Sequence, residues 1–314
     1  MIRTFLTTVA ASAALALPAA AQDCADGMRG FEHALGTTCI PESPQRIASL
    51  RDDMITTPLL DMGAPIVASI GREMEDGSRY VRGASDIFGQ AAVDAAGLID
   101  LGGHNPPDVE AVAAAAPDLI ILRTYQSEAL GQFQAIAPAI VIPDNMPFLD
   151  HIEWLADAAG IADAFADERA RYEARVAEAR DVVGDPSAIT VSRFDIGEDG
   201  LWYYPNWGAI DQVITDMGFD RPAVQAEATE GMNGVSVERI GEFDGDVLIA
   251  SHAPRFGQTI LMLTAQWDEV APFWRSLEGD LFWYERDVLV GYTFESLDRS
   301  IDFLTAITAG RDFD

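Results

Sequence analysis

The segment LDHIEWLADAAGIADAFADERARYEARVAEARDVV, Leu149–Val183, decides the architecture of this chain. It carries no strand signal and is rich in Ala, Glu, Asp and Arg, residues that mostly suit helix. Glu168, Arg169, Arg171, Glu173, Arg175, Glu178 and Arg180 alternate in sign, as on an exposed helix face whose charges pair three and four residues apart. A flexible linker would be rich in Gly, Ser or Pro, whereas this segment is stiff. Whatever lies on its two sides is expected to be joined by a single long rigid α-helix and to move little.

On both sides short apolar runs alternate with amphipathic stretches, the signature of parallel α/β units. Before the linker, strands are expected at Arg46–Leu50, Pro65–Ile70, Leu119–Leu122 and Ala139–Ile142, with helices at Thr56–Met62 and Val109–Ala116. After it, strands are expected at Ala188–Phe194, Val247–Ser251 and Val288–Val290, with helices at Ala209–Met217, Gln266–Val270 and Ser296–Ala309. The expected fold is α/β: two Rossmann-like lobes, residues 45–148 and 184–314, joined through 149–183. A weak internal repeat supports this. Val109-Glu110 is followed eight residues after the glutamate by Asp118 and an apolar run, and Val237-Glu238 likewise by Asp246.

Residues 1–21 stand apart. Arg3, an apolar run from Phe5 to Leu17 and Ala19-Ala20-Ala21 form the pattern of a secretory signal peptide, cleaved after Ala21, which places the rest in the periplasm. Cys24 and Cys39 are the two cysteines of the chain, within an N-terminal segment 22–44. In an oxidising compartment they invite one disulfide. A lipid-anchored Cys24 is the rival, but Asp23 stands where a small residue would be needed. A formal charge of −31 argues against nucleic acid as a partner. All 20 basic residues are arginine, so Schiff-base and phosphate-loop lysines do not exist here.

GxGxxG, HExxH, GxSxG and CxxC are absent, and no enzyme signature is found. Scarce positive charge is more informative. Arg51, Arg72 and Arg123 each fall within two residues of the carboxyl end of an expected strand, and Arg255 follows another by four. Ligands of open α/β sheets bind outside those ends, and guanidinium forks suit anionic oxygens. The alternative is that these arginines pair with the abundant acids. Aromatics collect in the same loops: Tyr125, the group Trp202, Tyr203, Tyr204 and Trp207, then His252 and Phe256, then Tyr292 and Phe294. Strand alternation would point Tyr203 opposite to Trp202 and Tyr204.

Three stretches carry a family resemblance: CIPESPQRIASL (Cys39–Leu50), NPPDVEAVAAAAPDLII (Asn105–Ile121), and Trp207-Gly208 leading into a helix that ends at Met217-Gly218. In order and spacing the chain resembles the periplasmic binding proteins of ferric-siderophore, haem and cobalamin importers. The resemblance implies a bilobed, monomeric binding protein without a cofactor. It would hold a small-molecule iron chelate in a cleft between the lobes and deliver it to an inner-membrane ABC permease. It also implies that Glu110 and Glu238, one per lobe, dock onto permease arginines. Where siderophore binders often carry a ligand-facing arginine this chain has His104, and Tyr125 falls where the family often has a ligand-contacting tyrosine. The arginine placement favours an anionic ferric siderophore of carboxylate type. Haem, with His104, Tyr125 or His252 as axial ligand, and cobalamin remain alternatives, as does, outside the family, an exported α/β enzyme. The expected ligand-binding set is Arg51, Arg72, His104, Arg123, Tyr125, Trp202, Tyr204, Trp207, His252, Arg255 and Tyr292, with no residue assigned to the metal directly.

Overall fold

The computed structural model describes residues 24–74, 77–104, 107–311 and 313. The expected signal peptide lies outside the described residues. The chain opens with an antiparallel hairpin, Met28–His33 against Gly36–Pro41, and the Cys24–Cys39 disulfide ties its start to its second strand.

The first sheet has five parallel strands in the order Ile99–Asp100, Ile66–Ser69, Ile47–Ser49, Leu119–Leu122 and Ala139–Val141. Every residue of Ile47–Ser49, Leu119–Leu122 and Ala139–Val141 is buried, because both faces of the sheet are covered. Alternation then sorts the side chains: Ile47, Leu119, Ile121 and Ile140 join one core, and Ala48, Ile120, Leu122 and Val141 the other. The second sheet has three parallel strands, Val191–Arg193, Val247–His252 and Asp280–Glu285, beside an antiparallel meander of Asp195–Gly197, Gly200–Tyr203 and Met232–Val235.

Between the sheets the segment read as one helix is two, Phe148–Ala158 and Ala162–Val183. The break falls at Gly160 (φ +70°), where a Cβ would sit 2.7 Å from the Glu42 carbonyl oxygen, so the chain turns there against the N-terminal segment. The longer helix has 22 residues and spans about 33 Å. It is no bare strut. Phe165, Tyr172, Val176 and Ala179 are buried along one face, the Tyr172 hydroxyl donates to Asp216 at 2.6 Å, and Arg175 pairs with Asp302 at 2.6 Å. A single apolar core runs through both halves of the molecule, containing Ile55, Leu59, Ile152, Phe165, Ile210 and Leu297.

Three expectations are corrected. Val288–Val290 is not a strand: the paired strand is Asp280–Glu285, and the chain turns at once into the short helix Arg286–Leu289. A three-residue apolar run has no periodicity to separate strand from helix. The expected strand Ala188–Phe194 shrinks to Val191–Arg193, since Pro186–Ala188 forms a 3-10 turn. Trp202 and Tyr203 lie in the strand Gly200–Tyr203 rather than in a loop, with Tyr203 turned inward and 2% exposed.

The internal repeat has a structural counterpart. Asp118 accepts the Gln45 and Arg46 amides at 2.7 and 2.9 Å, and Asp246 accepts the Thr190 amide at 2.7 Å. Each aspartate thus secures the start of the strand paired beside its own. Upstream, Asp108 and Ser236 cap the turns that carry exposed Glu110 and Glu238.

Candidate functional site

A cleft of about 430 Å³ opens where the carboxyl ends of Ile47–Ser49, Val247–His252 and Asp280–Glu285 converge. This is the place an open α/β sheet offers a ligand. Arg51, Asp53, Met54 and Arg82 come from the first half of the chain, and Trp207, Arg255, Arg286, Asp287 and Tyr292 from the second.

Backbone geometry shapes the walls. Asn206 adopts φ +61° and Gly208 φ +69°, and a Cβ on Gly208 would lie 2.0 Å from the Val290 carbonyl oxygen. The start of the helix Gly208–Met217 is therefore pressed against the Val290–Tyr292 turn, which only glycine permits. The Trp207 amide donates to Asp211 at 2.7 Å. Asp211 is buried and pairs with Arg193 at 2.7 Å and Arg221 at 2.6 Å; burial opposes its charge, but the two guanidiniums hold its carboxyl below the usual carboxylate range. Tyr292 stacks on Phe148 at 5.0 Å and leans on His151 at 4.9 Å. Burial pushes His151 down to about 4, so its ring is neutral and its Nε2 donates to the Met54 carbonyl at 2.6 Å. In this way Met54 and Tyr292 are fixed from behind.

Electrostatics differ between the two walls. Asp53 pairs with both Arg51 and Arg82. Behind it Asp52, fully buried, takes His104 at 2.9 Å and lies 3.7 Å from Arg82. Burial alone would raise the Asp52 carboxyl, but the His104 hydrogen bond and the Arg82 charge hold it at about 2. On the opposite wall Arg255 pairs with Asp287 at 3.1 Å, reaches Asp86 at 3.8 Å, contacts the Tyr80 hydroxyl and lies 4.4 Å from the Phe256 ring.

Of the eleven expected ligand-binding residues, Arg51, Trp207, Arg255 and Tyr292 line this cleft. Trp202 and Tyr204 stand behind the lining, packed on Trp207 at 5.7 and 4.8 Å. Tyr125 is 47% exposed, outside the lining, with its hydroxyl beside Arg51. His104 is engaged by Asp52, and Arg123 is held by Asp144 at 2.8 Å. His252 is half-buried at its strand end, outside the lining. Arg72 is exposed, because after Ile66–Ser69 the chain forms the hairpin Arg72–Glu73 with Arg79–Tyr80 and carries it out of the cleft. The sequence reading missed Asp53, Arg82, Arg286 and Asp287. Arg286 had a usable signal, since it stands two residues after the β-rich run Leu281-Phe282-Trp283-Tyr284; Arg82 had none, lying twelve residues beyond Ile70, where the preceding expected strand ends.

A family model described as periplasmic binding protein matches residues 83–269. The probable siderophore-binding lipoprotein YfiY of Bacillus subtilis is 30% identical over 231 residues, 70% of this chain and 67% of that one. The ferric enterobactin-binding periplasmic protein FepB of Escherichia coli is 25% identical over 210 residues, 64% of each chain. Among solved structures, Staphylococcus aureus SirA complexed with staphyloferrin B has a TM-score of 0.71 at 19% identity, covering 88% of this chain and 97% of that one. The FhuD protein from S. pseudintermedius has a TM-score of 0.66 at 21% identity, covering 90% and 99%. At these identities the structures speak for the fold alone, and they share it. With a family model over more than half of its length and a relative at 30% identity, the chain belongs to the periplasmic binding protein family, whose members are substrate-binding proteins and not enzymes.

Proposed function

We propose that this protein is exported, captures a ferric siderophore in the cleft between its two lobes, and delivers it to an ABC permease through Glu110 and Glu238. The observation that carries the reading is the cleft itself: four arginines, Arg51, Arg82, Arg255 and Arg286, beside the aromatic faces of Trp207 and Tyr292, at the strand ends where the fold binds ligands. Guanidinium and aromatic groups together suit a bulky chelate that carries anionic oxygens, which supports a carboxylate-bearing siderophore. Membership of the family and its siderophore-binding relatives YfiY and FepB support the same reading.

The test is titration of the intrinsic fluorescence with a panel of ferric chelates. Trp207 lines the cleft and packs on Trp202, so a bound ferric chelate should quench the emission in a saturable, stoichiometric way. Saturation by haem or cobalamin instead of every chelate would transfer the protein to those ligands. Chemical conversion of a bound compound would overturn the binding role.

A further inference from the structure

The two walls of the cleft carry the same number of arginines, but these are not equally engaged in ion pairs. On the first wall Asp53 uses both carboxylate oxygens, one on Arg51 and the other on Arg51, at 3.1 Å, and on Arg82. Asp52 adds a second acid within 3.7 Å of Arg82. Arg51 and Arg82 are therefore matched by two aspartates, and that wall is close to neutral. On the second wall Asp287 meets Arg255, and Asp86 approaches it from the other half of the chain. Among the described residues, Arg286 alone of the four arginines has no carboxylate within 4.0 Å; its guanidinium lies 6.0 Å from the Phe256 ring.

Resting on the siderophore reading above, we propose that Asp53 is a resident carboxylate filling the Arg51–Arg82 fork, so that the cleft selects a ferric chelate of low net charge whose anionic group is confined to the end facing Arg286. A trianionic chelate would bring charge against Asp53 on one wall, while the other wall offers the arginine that makes no direct ion pair among the described residues. A neutral iron core bearing one carboxylate meets no such conflict: its carboxylate takes the Arg286 fork, and its core lies against Trp207 and Tyr292. Asp53 is thereby a specificity-determining residue, acting by occupying a site that a more anionic ligand would need.

The experiment uses three probes and two variants of the full protein. The probes are a neutral ferric tris-hydroxamate with an acetylated terminus, the same chelate with a succinylated terminus that adds one carboxylate, and a trianionic ferric tris-catecholate. The wild type should bind the succinylated chelate about tenfold to a hundredfold more tightly than the acetylated one, the effect of one charge-assisted contact. Arg286→Gln should erase that difference. Asp53→Asn, which keeps the side chain's shape, should improve binding of the tris-catecholate by about tenfold relative to the succinylated chelate. An unchanged ratio in Asp53→Asn, a succinyl advantage that survives Arg286→Gln, or a wild type that prefers the tris-catecholate would each overturn the proposal while leaving siderophore capture standing. Failure of the wild type to bind any of the three would count against both. Arg286 makes no ion pair among the described residues, so its variant tests the proposal even if Asp53→Asn fails to fold.

Discussion

At the scale of single residues the site depends on charges that are already committed within the protein. Arg255 spans Asp287, Asp86 and the Tyr80 hydroxyl, linking the two halves of the chain, and it also faces the cleft. Arg255→Ala should weaken ligand binding by about tenfold to a hundredfold, read by fluorescence titration, whereas Arg72→Ala, on an exposed hairpin, should leave affinity unchanged. Buried carboxyls set the pH dependence. Burial lifts Asp61 to about 6 and Asp195 to about 7, against an ordinary value of 3.8. The folded state then binds protons more tightly than the unfolded chain between these limits, so their contribution to stability falls as pH rises from about 4 to about 7. Asp52, held at about 2, acts in the opposite sense and loses its contribution below the ordinary aspartate range. The melting temperature should therefore rise as pH is lowered from 7.5 toward 5, where relief of repulsion in a chain of charge −31 acts in the same direction, and fall again below about 4. A flat profile between pH 5 and 7.5 would remove Asp61 and Asp195 as its source.

At the scale of elements, the cleft walls are positioned by close backbone approach. The helix Gly208–Met217 begins against Val290 with no room for a side chain at its first residue. Gly208→Ala should cost more than about 2 kcal/mol and abolish saturable binding, since both the positive φ and the contact with Val290 are lost together. Thermal unfolding and titration of the same preparation check both halves of that expectation. The N-terminal hairpin is braced covalently instead. The Cys24–Cys39 bridge closes a loop of sequence separation 15, and its removal should lower stability by up to about 3 kcal/mol without changing ligand affinity. Two free thiols in the purified exported protein would show that the bridge is not used.

At the scale of the whole molecule, the shared core decides how the two halves move. Ile152, Phe165, Ile210 and Leu297 belong to one apolar cluster with Ile55 and Leu59, and the Asp61 carboxylate accepts the Phe294 amide from across the chain at 2.7 Å. Opening the cleft by a large hinge would expose that core, so the radius of gyration measured by solution scattering should be the same with and without ligand. A marked contraction on binding would contradict it. Glu110 and Glu238 are exposed at capped helix starts in the two halves, and the proposed function makes them two acidic knobs for a permease. The double replacement by Ala should keep ligand affinity and stability while transport through the cognate permease is lost; wild-type uptake would reduce both residues to favourable helix-start acids.

The amino-acid sequence by itself determined the α/β class, the helical character of residues 149–183 and the repeated Val-Glu to Asp unit. These rest on local periodicity, whereas the hydrogen bonds that give the repeated aspartates their role, Arg46 to Asp118 and Thr190 to Asp246, join strands far apart in the chain. It also pointed to Arg51, Trp207 and Arg255, which stand near the ends of elements that the fold turns toward the cleft, and to Tyr292, although the strand expected before it is a helix. Only the tertiary structure decided which arginines face the cleft and which are spent. Arg123 and Arg72 satisfy the same strand-end rule as Arg51, yet one is held by Asp144 and the other is carried outward by a hairpin. Arg82 enters the cleft from a turn remote in sequence, and Asp53 pairs with two of the four cations. Whether a charge is free depends on distances between residues far apart in the chain, and spacing along the sequence carries no record of those distances.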